Sequence, residues 1–98
     1  MPKLRAEEED LEEVERFLNK RKALKHLRAR KRADTIVIES GPPDDADPNA
    51  RLRRVSVHLW TLEFPTHNGR WEPTPYKDSV EALLLCLVKS FPWTIASV

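Results

Sequence analysis

The chain has 98 residues, of which 40% are hydrophobic and 34% charged, and its formal net charge is +1. That length supports one domain, residues 1–98, with a single modest core, and the near-neutral balance excludes an overall field that demands an acidic or basic partner. A single cysteine excludes an internal disulfide framework and fits a reducing, cytoplasmic setting.

The N-terminal MPKLRAEEED has no apolar stretch of the signal-peptide kind. The longest apolar run, residues 82–88, is too short to span a bilayer, so no membrane partner is expected. Residues 1–5 are expected to be flexible. From residue 6 to residue 19, Leu11, Val14, Phe17 and Leu18 fall on one helical face. Glu7, Glu8, Glu9 and Asp10 crowd the first turns, and Lys20 and Arg21 follow the end, as the helix dipole favours. The acidic run reads as a solvated helix face.

Residues 20–32 hold eight Lys or Arg and no acid. A basic extension of the helix competes there with a β-hairpin. Alternation in Leu27, Arg28, Ala29 and Arg30, followed by Thr35, Ile36, Val37 and Ile38, favours the hairpin. Pairing 25–31 with 35–40 puts Leu27 opposite Ile38, Ala29 opposite Ile36 and His26 opposite Glu39. Residues 41–50, GPPDDADPNA, read as an acidic, proline-rich loop.

Residues 51–64 read as one long central strand. Val55, Val57 and Leu59 line one face, and His58, Trp60, Leu62 and Phe64 line the other. Apolarity on both faces predicts that both are covered, by a helix each or by a second subunit. Asn68 and Gly69 signal a tight type I′ turn. That register places Thr66 opposite Trp71 and Phe64 opposite Pro73. It gathers Trp60, Leu62, Phe64, Trp71, Pro73 and Pro75 on one apolar face. Pro73 and Pro75 then make residues 70–76 an edge strand.

Residues 78–90 form the second helix, with Asp78 as N-cap, Glu81 reaching back, and Val80, Leu83, Leu84 and Leu87 as its core stripe. Leu85 lies on the polar side and is expected to be exposed. Pro92 ends the helix, and residues 93–98 read as a last strand. The expected fold class is therefore α+β. It is a single small domain with an antiparallel meander sheet, an N-terminal amphipathic helix and a C-terminal core helix, in the order α-β-β-β-β-α-β.

No pair among His26, His58, His67 and Cys86 has the spacing of a metal site, and no nucleophile elbow, Walker loop or dinucleotide-binding glycine pattern occurs. No cofactor or metal is expected, and enzyme chemistry is the third choice. It would use a pocket at His58, Trp60 and Glu72. Glu63 and Glu72 are expected on one hairpin face, turned to solvent as residues alternating with the core. Two readings lead. One is a small non-catalytic interaction domain, a homodimer or the binder of an unknown protein, with Leu85, Val55 and Val57 at the interface. The other is a nucleic-acid-binding domain that holds phosphates through the basic 20–32 and 51–54 segments, with Lys25, Arg28, Arg30, Arg32, Arg53 and Arg54 as the contacts.

The placement of the arginines separates these readings. The nucleic-acid reading gains if Arg28, Arg30, Arg53 and Arg54 share one open face without carboxylates. It fails if they pair with Glu12, Glu13 or Glu15. The absence of aromatic residues interleaved with the basic ones argues against a stacking platform.

Overall fold

A computed structural model describes residues 4–95. Five strands form one antiparallel sheet in sequential order: β1 (Arg28–Arg32), β2 (Thr35–Ser40), β3 (Asp47–Ser56), β4 (Leu59–Pro65) and β5 (Trp71–Asp78). Helix α1 (Glu8–Asn19) precedes the sheet and α2 (Val80–Ser90) follows it. The α+β meander with a helix at each end is thus present. Residues 1–3 of the expected flexible segment and 96–98 of the expected last strand lie outside the described residues. Residues 4–6 are tied down: Ala6 is buried, and its N–H donates to the Ala33 carbonyl at 2.9 Å.

Both helices pack on the same face of the sheet. Val14 and Leu18 of α1, with Val80, Leu83, Leu84 and Leu87 of α2, close over Ile36, Ile38, Ala50, Leu52, Trp60 and Leu62. Those six sheet residues share one side of the pleat, as their registers require: Ile36 pairs with Leu52, Ile38 with Ala50, and Leu52 with Leu62. Burying these side chains is the main stabilising term, and the opposite face receives no helix. The expectation that the helices divide between the two faces is therefore corrected.

The strand registers correct several further expectations. The β1–β2 hairpin forms, but Arg32 pairs with Thr35 across a two-residue turn, Ala33 and Asp34, with Ala33 at φ 53°. Ala29 consequently meets Ile38 instead of Ile36. The slip is two residues, so each side chain keeps its predicted face. His26 does not meet Glu39: its Nε2 donates to the Ile95 carbonyl at 2.9 Å. The loop expected at 41–50 is shorter, because β3 begins at Asp47 after a 3-10 turn at Pro43–Asp45. The single strand expected at 51–64 is two strands, β3 and β4, joined by a turn at Val57 and His58.

The second hairpin slips by one residue, and that slip has the larger consequence. Asn68 does not adopt positive φ; only Gly69 does, at 77°, and Thr66 N–H donates to the Arg70 carbonyl at 2.8 Å. The connection is thus a wider loop with one left-handed glycine instead of a type I′ turn. Trp71 then pairs with Pro65, and Phe64 with Glu72. An odd shift exchanges faces. Phe64 stays with the core, stacked on Phe91 at 4.8 Å between ring centroids, while Trp71 goes to the helix-free face. Further along, β5 bulges opposite Leu62, where Pro75 has no N–H to give. Hydroxyls replace the missing ladder bonds: Thr74 Oγ1 donates to the Leu62 carbonyl at 2.9 Å and Thr61 Oγ1 to the Tyr76 carbonyl at 3.1 Å.

The N-cap of α2 is Ser79 instead of Asp78. Its Oγ accepts from Ala82 N–H at 3.2 Å, while Asp78 accepts from Ser79 N–H at 2.7 Å. After α2 the chain makes a 3-10 turn at Pro92–Thr94 where a strand was expected. The Thr94 carbonyl accepts from Asn49 Nδ2 at 2.8 Å and Ile95 plugs into the core, so residues 94 and 95 cap the core.

Candidate functional site

Alternation along the strands decides what the helix-free face carries. On β1 it is Arg28, Arg30 and Arg32; on β2 Thr35, Val37 and Glu39; on β3 Arg51 and Arg53; on β4 Thr61 and Glu63; and on β5 Trp71, Pro73 and Lys77. No helix shields this layer, yet Glu63 is 3% exposed and Glu39 is 5% exposed. Arginine stems and the Trp71 ring cover them, because long amphipathic side chains bury their stems while their heads stay in water.

Each buried glutamate organises a pair of arginines. Glu63 Oε1 accepts from Arg51 Nε at 2.6 Å, with Arg51 Nη2 ion-paired to the same oxygen at 2.5 Å, while Arg53 Nε stands 3.6 Å from Oε2. Glu39 lies 3.4 Å from Arg30 Nε and 3.9 Å from Arg28 Nη2. Arg53 Nε and Arg28 Nη2 have no hydrogen-bond acceptor among the described residues, so these two contacts are ion pairs without a formed hydrogen bond. Arg51 completes its environment by lying against Trp71, 4.4 Å from guanidinium carbon to ring centroid.

Four arginines therefore stand over two sunken carboxylates, and Arg32 lies on the same face without an ion pair among the described residues. The outer heads remain wet: the side chain of Arg30 is 60% exposed and that of Arg53 43%. Arg30, Arg32, Arg51, Arg53 and Trp71 line a shallow groove of about 470 Å³ whose floor includes Thr35 and Val37. Asp34 borders one end as a third acid. Such a surface can hold several phosphates or carboxylates at once. Each guanidinium has more donors than its glutamate can occupy, and its charge persists at any physiological pH.

The other expected site residues lie elsewhere. Arg54 faces α1, where Nη1 donates to the Arg5 carbonyl at 2.8 Å and Nη2 to the Val57 carbonyl at 2.7 Å. Glu7 and Asp10 each stand 3.8 Å from it, so Arg54 acts as a structural clasp. Lys25 is exposed, ahead of β1 at the end of a 3-10 turn. Lys31 points to the helix side and pairs with Glu8 at 3.4 Å. The acidic helix thus neutralises Arg54 and Lys31, and among the described residues it makes no ion pair with the five face arginines. None of those arginines pairs with Glu12, Glu13 or Glu15, and the carboxylates on their face come from the sheet itself.

His58 and Trp60 do not meet Glu72: His58 is exposed in the β3–β4 turn, Trp60 is buried in the core, and Glu72 is exposed on β5. Glu72 and Glu63 point to opposite faces, which corrects their expected pairing. Val55 and Val57 are exposed beside the same turn. Leu85 is half-buried instead of exposed and lines a separate groove between α1 and α2, with Glu13, Phe17 and Leu84. Burial and the neighbouring Asp10 and Glu81 carboxylates hold Glu13 above the usual carboxylate range, against a lowering by Arg16. Cys86 is a half-buried free thiol on α2.

Two members of the face, Arg51 and Trp71, are not among the residues that sequence reasoning selected for it. Arg51 was legible as part of the basic 51–54 cluster. Trp71 was hidden because its face depends on the turn at Gly69. Among the described residues no group of three His, Cys, Asp or Glu could hold a metal ion, and no helix is long and apolar enough to cross a membrane. No protein-family model matches the chain, and no curated protein or solved structure is significantly similar to it.

Proposed function

We propose that the protein is a nucleic-acid-binding domain that grips phosphate backbones with the helix-free sheet face. One observation carries this reading: Arg28, Arg30, Arg32, Arg51 and Arg53 converge on one uncovered face whose Glu39 and Glu63 carboxylates are sunk beneath them. A buried carboxylate holds a guanidinium in place, and a pre-oriented guanidinium loses less entropy on meeting a phosphate. Phosphate contacts of this kind position a nucleic acid without reading its sequence. A cytoplasmic setting fits the free thiol of Cys86.

The test is fluorescence anisotropy of labelled DNA and RNA over a salt series. Binding is expected to weaken log-linearly with salt, with a slope of about 0.7–0.9 per phosphate contact. The double variant Arg30→Glu/Arg32→Glu is expected to remove it. Lys20→Glu/Lys22→Glu changes the net charge equally off the sheet face and is expected to leave most of it. Equal losses in both variants, or no binding by the parent at low salt, would defeat the reading.

A second reading, an interface for a protein partner or a second copy, rests on Val57, which is 58% exposed next to exposed Val55 at the β3–β4 turn. Sedimentation at rising concentration tests the second copy. A monomer throughout leaves only a different protein as the occupant of that turn.

A further inference from the structure

We infer that the ligand of the helix-free face is a single-stranded nucleic acid, with one unstacked base lying against Trp71. This rests on the phosphate-binding reading above and narrows it.

The groove crosses the sheet instead of following one strand. It runs from the β1–β2 turn at Ala33 and Asp34, past Val37 and Arg51, to Trp71 on β5. Four strand spacings of about 4.8 Å separate β1 from β5, so the path is about 19 Å long. Its charged heads stand in two rows, Arg30 and Arg32 on β1 and Arg51 and Arg53 on β3, about 10 Å apart, with Thr35, Val37 and the buried Glu39 of β2 between them. At the far end the aromatic ring takes over from the cations. Because Trp71 lies on β5, beyond the β3 row, a backbone that crosses both rows would bring its next base to the indole.

The indole distinguishes the two forms of nucleic acid. A duplex keeps its bases paired and stacked inside, and it shows a wall mainly phosphates, which arginines alone can satisfy. An aromatic ring in the groove adds affinity only when a base is free to leave its own stack. Trp71 is also pre-set. One side of its ring is taken by the Arg51 guanidinium, whose own carboxylate partner is almost wholly buried, and the ring remains partly exposed. A ring backed by a fixed cation is a rigid platform and loses little freedom when a base stacks on it. The exposed Trp93 offers a contrast within the same chain. It belongs to an aromatic cluster with Phe91 on the helix-covered side, 5.7 Å between centroids, and no arginine of the groove adjoins it in that cluster.

The experiment compares a labelled single strand of about twelve nucleotides with a duplex of the same length, at one salt concentration, for the parent, Trp71→Ala and Trp93→Ala. The single strand is expected to bind at least about tenfold tighter than the duplex. Trp71→Ala is expected to weaken the single strand by about tenfold, leave the duplex unchanged and keep the salt slope, while Trp93→Ala changes neither ligand. Circular dichroism establishes that each variant is folded. As a measurement that needs no change at Trp71, the intrinsic fluorescence of Trp93→Phe, in which Trp60 is buried, is expected to be quenched by the single strand. Equal binding of both forms with a normal salt slope would overturn the single-strand inference and leave the phosphate reading standing. Equal loss of both ligands in Trp71→Ala, or no quenching on binding, would overturn it in the same way. No binding of either form would overturn both.

Discussion

The two faces of one sheet solve the same problem with opposite chemistry. On the helix-covered face, Ile36, Ile38, Leu52 and Leu62 are wholly buried by apolar side chains of α1 and α2. On the other face Thr35, Glu39, Thr61 and Glu63 are also buried, but the two glutamates there are paired with arginines, one of which lies against an indole. The first is held by area removed from water and contact density. The second is held by charge pairing and by methylene groups that shield it without closing it. Burial therefore does not by itself mark a core. A face buried under its own cations stays chemically available, and that is why the candidate site lies there.

This contrast can be broken from either side. The largest expected effect is on the apolar face: Leu62→Ala removes a fully buried side chain between the helices and β3, and is expected to cost about 2–5 kcal/mol in chemical denaturation. A loss below about 1 kcal/mol would mean that the face is not close-packed.

The next effect belongs to the charged face. Glu63→Gln leaves Arg51 and Arg53 without their shared negative partner and is expected to cost about 2–3 kcal/mol, less than a fully buried pair because Arg53 is partly solvated. The same substitution adds one net positive charge to the groove, so nucleic-acid affinity at low salt is expected to rise while stability falls. Opposite signs in the two measurements would show that the Glu63 charge opposes phosphate binding more than its hold on the arginines assists it. A fall in both, with the variant still folded, would identify Glu63 as an organiser of the arginines.

Smaller effects concern the helices that make the faces unequal. Ser79→Ala removes the N-cap of α2 and is expected to cost about 1 kcal/mol, whereas Asp78→Ala, one residue outside the cap, is expected to cost less. The reverse order in thermal unfolding would return the cap to Asp78.

The smallest effect is a pH dependence at Glu13. Its folded value is raised by burial and by Asp10 and Glu81. Below the unfolded carboxylate range both states are protonated and no penalty exists. As pH rises through the raised folded value, ionisation costs the folded state more than the unfolded one, and stability is lost. Glu13→Gln is therefore expected to be slightly more stable than the parent near neutral pH and equal to it in acid. A difference that grows toward acid would contradict the assignment.

Much of the fold was legible because it is written in periodicities that depend on few neighbours. The 3.6-residue stripes of α1 and α2 and the alternation on either side of Ala33 and Asp34 specify elements and their inward faces locally. The β1–β2 register was predicted two residues out, yet its faces survived because the side-chain period of a strand is two. The β4–β5 register was predicted one residue out, and the same rule then moved Trp71 to the other side of the molecule. The break at Val57 and His58 was illegible because neither residue is a turn former; continuous apolar alternation there concealed two paired strands. Glu63 read as solvent-facing, since burial under arginines from a neighbouring strand leaves no trace in its own segment.

The sequence alone determined that this is one α+β domain with two amphipathic helices, an antiparallel meander, an edge at the proline-bearing strand and a concentration of cations in residues 20–32 and 51–54. These follow from local propensity, hydrophobic period and composition. Only the tertiary structure decided that both helices share one face, that Arg54 is spent on the acidic helix while Arg51 is not, and that an indole joins the arginines. Those outcomes depend on strand register and on which face the helices choose. Both are set by contacts between residues far apart in the chain, so no single segment of the sequence contains them.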